Sequence, residues 1–200
     1  MDEQIPVGRV LRASTSAFTV GCRQLIAEQD LMTPKLGALL KATGRNGRVV
    51  YGLTCNVTIE DDAFVRQLVA AGVESAEIIE DQRQKRQVPI VVDVIIVGHG
   101  DENAVFHRLP PQPPRTLDEI HTCNNAEWVR FTERHDWIRL LLPAIDAPVD
   151  QIIVAALRMA SEARPSRLER EQYLISAGRE LARLLALDLT RLDGILRQLR

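Results

Sequence analysis

The 200-residue sequence predicts an α+β protein, with a small N-terminal β-barrel over residues 1–115 and a C-terminal helical bundle over residues 116–200. Three observations carry that reading. The densest β-branched run, Pro89 to Val97, has the character of a central strand. Segments before it alternate with the period of strands, whereas segments after residue 116 repeat with the period of helices. Between the two regimes lies Leu109-Pro110-Pro111-Gln112-Pro113-Pro114, which neither a ladder nor a helix interior accommodates. Strands gathered first and helices gathered after argue against alternating βαβ units.

Taken in order, Val7, Val10 and Leu11, a Ser14-Thr15-Ser16 turn, and Phe18 and Val20 predict a first hairpin. The stretch from Leu25 to Leu31 is ambiguous, and Thr33-Pro34 interrupts it. Asn46-Gly47, set between Leu36 to Leu40 and Val49 to Val57, is the clearest hairpin signal, because Gly after Asn supplies positive φ angles. Glu60, Asp61 and Asp62 then open an amphipathic helix with Phe64, Val65, Leu68 and Val69 on one face, closed by Gly72. The polar residues Glu80 to Gln87 form a loop before the central strand, and a return strand follows near Ala104 to His107.

Downstream, Thr116 and Glu119 have capping-box spacing, so short helices are expected near Leu117 to Cys123 and near Glu133 to Leu142. Ile152, Ile153, Ala156, Leu157 and Ala160 make an apolar stripe that Pro165 ends. Ser166 with Glu169 opens a helix carrying Leu174, Ala177, Leu181, Leu184 and Leu185, and a last helix carries Leu192, Ile195, Leu196 and Leu199. The whole describes a barrel or sandwich of five or six strands with one inserted helix, then a bundle.

Composition narrows the class. Nearly half the residues are apolar, and a formal charge of −2 offers no general attraction for a nucleic acid backbone. Three cysteines, Cys22, Cys55 and Cys123, without CxxC spacing or a secretory leader fit a reducing cytoplasm. The apolar runs are far shorter than the roughly 20 residues of a membrane-spanning helix. No G-x-x-x-x-G-K-[ST] occurs, so the phosphate cradle of P-loop ATPases is missing from the sequence.

Val7-Gly8-Arg9-Val10, the Ser14-Thr15 turn with Phe18-Thr19-Val20, Val50-Tyr51-Gly52-Leu53-Thr54, and Val94-Ile95-Ile96-Val97-Gly98 before the prolines together resemble the HerA/ATP-synthase barrel, or HAS-barrel, family. The resemblance covers roughly the first 115 residues and departs at Gly37-Ala38-Leu39, where the family's Gly-acidic-x-Val step is only partly present. It implies a non-catalytic barrel that helps ring-shaped ATPases assemble and dock partners. Here helices stand where that family's ATPase core would begin.

Several constellations invite chemistry. His99, Asp101 and His107, with Asp93, lie close enough in sequence to form a metal or acid/base site, although Gly98 to Asn103 is first of all a turn. His121, Cys123 and His135 are a second set with no zinc-motif spacing. Gly44-Arg45-Asn46-Gly47 matches the GXXG clamp of KH domains but sits between strands instead of helices. Ser14, Thr15 and Ser16 lack a nearby histidine or a nucleophile elbow, so they read as turn hydroxyls. Arg83, Lys85 and Arg86 are the one local basic cluster, a solvated loop or a docking loop. The proline segment reads as a polyproline II strut between barrel and bundle, with Trp128, Phe131 and Trp137 packing the seam.

The functional expectation is a cytoplasmic, non-enzymatic docking or self-assembly module of a ring-shaped or multi-subunit complex. It would act through a barrel edge or through Leu181, Leu184, Leu192, Ile195 and Leu199, unless those leucines close the bundle's own core. No cofactor is expected. A nucleic-acid-associated role would require Arg158, Arg179, Arg183 and Arg197 on one face, and a metal-dependent hydrolase would require His99, Asp101 and His107 in one cleft.

Overall fold

The computed structural model describes residues 6–25, 33–44, 47–60, 63–72, 87–101 and 103–199. Strands β1 (Gly8–Ala13) and β2 (Ala17–Leu25) form the first hairpin, with Val10 opposite Val20. Its turn is held by Ser14, whose Oγ accepts from the Ser16 and Ala17 amides at 3.3 and 3.1 Å. The serines are therefore turn hydroxyls, as their chemistry suggests. Strands β3 (Leu39–Thr43) and β4 (Val49–Ile59) form the second hairpin, and Gly47 takes the required positive φ of 70°. Arg45 and Asn46 lie outside the described residues.

Helix α1 (Ala63–Ala70) follows and Gly72 closes it at φ 63°. Val69, assigned by spacing to its apolar face, is exposed. The basic cluster Arg83, Lys85 and Arg86 and the ambiguous stretch from residue 26 to 31 lie outside the described residues. Strand β5 (Gln87–Gly100) then pairs with β4 along one side and with β2 along the other, and β6 (Val105–Phe106) returns against its end.

The chain next departs from expectation. Residues 119–122 form a seventh strand, β7 (Glu119–Thr122), where capping-box spacing suggested a helix. β7 pairs with both β1 and β3 and so completes a closed antiparallel ring of six strands, β1-β2-β5-β4-β3-β7. The sheet thus extends beyond residue 115, and the proline segment links two barrel elements instead of joining barrel to helices. Arg115, not Thr116, organises the turn: its amide donates to Asp118 Oδ2 at 2.7 Å, and Leu117 is held at φ 71°. Bulges in β1 and β4 bend the ring shut.

Closure explains the central β-branched run. Val92, Val94 and Ile96 point into the barrel with Phe18, Val20, Leu40 and Ile120, while Val97 joins Leu39, Tyr51 and Leu53 in an outer core beneath the helices. Part of β5 is therefore buried on both faces, and a strand in that position is apolar at consecutive positions.

The helices are α2 (Asn125–Phe131), α3 (Ile138–Leu141), α4 (Val149–Glu162), α5 (Arg167–Leu184) and α6 (Leu189–Gln198). A capping box at Asn124 and Glu127 starts α2, and the one at Ser166 and Glu169 starts α5. The α4 stripe Ile152, Ile153, Ala156, Leu157 and Ala160 is fully buried, as its period requires. Trp128, Phe131 and Trp137 occupy the seam, with the Phe131 ring 5.0 Å from that of Tyr51. Lys41 on β3 also pairs with Glu127 on α2, so barrel and helices share apolar and ionic contacts. No helix among the described residues is long and apolar enough to cross a membrane.

Candidate functional site

At one end of the barrel the β3–β4 hairpin, the end of β5 and the proline segment surround a cavity of about 360 Å³. The segment acts as a strap, because Pro110 and Pro114 are buried while Pro111, Gln112 and Pro113 stay exposed over the opening. Arg48, His99, Asp101, Arg115 and Asp118 bring charge and polarity to walls otherwise made by Val49, Val50, Phe106 and the prolines. His99 stacks on Phe106 with centroids 5.4 Å apart, and its Nε2 is shielded from water with no hydrogen-bond partner among the described residues. Burial, with the Arg108 and Arg48 guanidiniums nearby, holds this imidazole below its ordinary pKa.

The sequence-predicted constellations are dispersed around this cavity. Asp101 caps its own turn by accepting from the Asn103 and Ala104 amides at 2.8 and 2.9 Å, and those bonds hold its carboxyl below the usual range. His107 turns away into the seam, where Nε2 donates to the Phe131 carbonyl at 2.8 Å. Its Nδ1 lies 4.0 Å from Asp136. Asp93 sits mid-strand and accepts from Thr19 and Asn56, roughly 20 Å along the strand from His99 at ~3.3 Å per residue. His99, Asp101 and His107 therefore do not share one cleft as ligands. Among the described residues no group of three or more His, Cys, Asp or Glu side chains is placed to hold a metal ion.

His121, Cys123 and His135 are likewise distributed. His121 faces Glu119 at 3.8 Å, Cys123 is buried, and His135 lies against α5. Burial raises all three thiols, Cys22 and Cys55 to about 11 and Cys123 further, so they pack as small apolar groups.

One cluster escaped the sequence reading. His135 Nε2 and Ser176 Oγ are 3.0 Å apart, beside Tyr173 and the guanidinium of Arg164, which stacks 3.5 Å over the Tyr173 ring. Arg164 is buried and donates to the Ala160 and Thr132 carbonyls, so it pins the end of α4 to the end of α2. A serine beside a histidine suggests a nucleophile and base. Here His135 Nδ1 is buried without a partner among the described residues, so no carboxylate orients the ring. The 41-residue separation of His135 and Ser176 left no local motif to find.

The leucines considered as partner-facing take the other role open to them and close the bundle's own core. Leu181 and Ile195 are fully buried, and Leu184, Leu192 and Leu199 pack partly buried against the same core. Ring closure also removes the free barrel edge. Of the arginines considered for nucleic acid, Arg183 pairs with Glu180 at 2.6 Å, Arg197 pairs with Asp193 at 2.8 Å, and Arg158 donates to the Gln198 carbonyl.

Neither a protein-family model nor a curated protein matches the chain. Fold and site together define its class as a closed six-stranded antiparallel barrel with helices packed on its outer face and, at one rim, a cavity lined by apolar and charged residues.

A pH prediction follows from the histidines. His99, His107 and His135 are each lowered from 6.5 chiefly by burial, and the charges facing them are mixed: Arg108, Arg48 and Asp101 at His99; Asp136, Arg134 and Arg139 at His107; Arg164, Glu180 and Asp136 at His135. The unfolded chain binds these protons more readily than the folded chain does. The contribution is therefore fully present above pH 6.5 and is lost as pH falls from there through the lower folded values. Urea midpoints should drop between pH 7 and pH 5, and His107→Gln should flatten that dependence.

Proposed function

We propose that the chain is a non-catalytic assembly module, a HAS-barrel-like block that joins a multi-subunit, ring-forming complex. The observation that carries this reading is a pair of exposed apolar side chains on one face of α5. Leu168 and Ile175, 64% and 56% exposed, are seven residues apart and so share a helix face. Further apolar exposure follows at the turn into α6, where Leu187 is wholly exposed and Leu189 is 67% exposed. Large apolar side chains held on a rigid helix in this way favour burial against another surface.

A second copy of the chain is the occupant we favour. Charge along α5 is nearly balanced, four arginines against three glutamates with Arg167–Glu171 and Glu180–Arg183 paired within the helix, so the face presents little net repulsion to itself. A nucleic acid would instead favour a face of uncompensated cations.

Light scattering over a dilution series, at low and high salt, tests the reading. The native protein should hold a constant dimer or ring mass, and Ile175→Glu should reduce it to a monomer that keeps the native far-ultraviolet circular dichroism and a cooperative unfolding transition, with a lower melting temperature because the stabilisation by association is lost. A native protein that is monomeric at every concentration and salt overturns self-assembly.

A further inference from the structure

The rim cavity stands apart from the α5 surface and carries an inference independent of it. Its charge is unevenly committed. The carboxylates of Asp101 and Asp118 are engaged by backbone amides, from Asn103 and Ala104 and from Arg115 respectively. Arg48 and Arg115, two exposed residues that line the same cavity, have neither an ion pair nor a side-chain hydrogen bond among the described residues. Arg108 adds a third cation nearby, lying 4.7 Å over the ring of Phe106. Among the described residues the two arginines are therefore left unpaired beside two carboxylates already fixed in turns, and Arg108 tips the local charge towards the positive, which suits a planar or tetrahedral oxyanion.

The remaining walls say what else the ligand carries. Val50, Phe106 and the proline strap supply apolar surface, and a cavity of about 360 Å³ is at the small end of those that enclose organic molecules. A compact anion matches such a volume. We propose that the cavity binds a compact organic anion, with its carboxylate or phosphate head at Arg48 and Arg115 and its apolar body beneath the proline strap.

His99 lines the cavity and so reports on occupancy. In the free protein burial first, and then Arg108 and Arg48, disfavour its protonated form, and a bound anion would offset the two arginines. The intact protein should be titrated with benzoate, phenyl phosphate, acetate and inorganic phosphate at constant ionic strength. The resonances of the four histidines are followed by NMR, and His99→Gln identifies the relevant one.

The expected result is a saturable shift at His99 with benzoate or phenyl phosphate, a higher His99 titration midpoint in the complex, and no such change at His121. The preference between the two aromatic probes assigns the head as carboxylate or phosphate. Arg48→Gln should weaken binding about tenfold, the loss of one charge-assisted hydrogen bond, while Arg183→Gln on α5 leaves it unchanged. Equal shifts at all four histidines, no saturation, or unaltered affinity in a folded Arg48→Gln protein would overturn the site. Acetate and inorganic phosphate binding as tightly as the aromatic probes would overturn the apolar half of the assignment.

Discussion

Trp137→Ala should destabilise the barrel and the helices together by about 3–5 kcal/mol, because the side chain it removes is buried between them. Trp137 is 1% exposed and belongs to the core that joins Leu39, Tyr51, Leu53 and Val97 of the barrel to Ile138, Leu141 and Ile152 of the helices. Its Nε1 has no partner among the described residues, so the loss is one of packing and not of a hydrogen bond. Trp137→Phe should therefore recover most of the stability. Calorimetry should show one transition lowered by about 10 °C for a chain of this size. Two separate transitions in Trp137→Ala would mean that barrel and helices fold independently and that the shared core contributes little.

Gly37→Ala should cost about 3–4 kcal/mol, from two penalties that a second glycine allows to be separated. Gly37 has a φ of 76° and lies against α4, where an added Cβ would meet the Ala155 Cβ at 2.7 Å and the Ala156 amide nitrogen at 2.9 Å. Gly47 has a similar φ of 70° but open space around the same position. Gly47→Ala then measures the left-handed backbone alone, about 1–2 kcal/mol. Urea denaturation of both variants isolates the contact of α4 with the chain entering β3. Equal losses would show that the close approach carries no energy.

Trp137 and Gly37 both lie at the seam, where local sequence signals hold for some elements and are overridden in others. Trp128, Phe131 and Trp137 were legible as seam residues because the chain has few aromatics and these follow the prolines closely. The capping box that precedes them was not. Thr116 and Glu119 have the right spacing, yet the box forms at Asn124 and Glu127. Glu119-Ile120-His121-Thr122 has a single large apolar side chain and is too short for either period to declare itself. It is a strand because β1 and β3 each present it with an unpaired edge.

The candidate cavity was legible only in fragments. His99 and Asp101 drew notice by their proximity, which tertiary structure uses for a turn. Arg48 and Arg115, the residues we assign to binding, stand far apart in sequence with no motif between them. The leucines of α5 and α6 show the same division. Their spacing announced an amphipathic helix, but the same stripe serves an internal core or a partner, and its neighbours decide which.

Local causes alone account for the hairpin at Gly47, the strand at Val92 to Val97, the α4 stripe and the Ser166 cap, all of which can be read from the sequence. Turn chemistry and hydrophobic period act within a few residues, so they can be read without a partner in view. Only tertiary structure decided that the ring closes through β7 and that the proline segment straps a rim. It also decided that Leu181 faces inward while Ile175 faces out. Those outcomes depend on which distant groups satisfy one another's backbone bonds, volume and charge, and that information belongs to the packed chain as a whole.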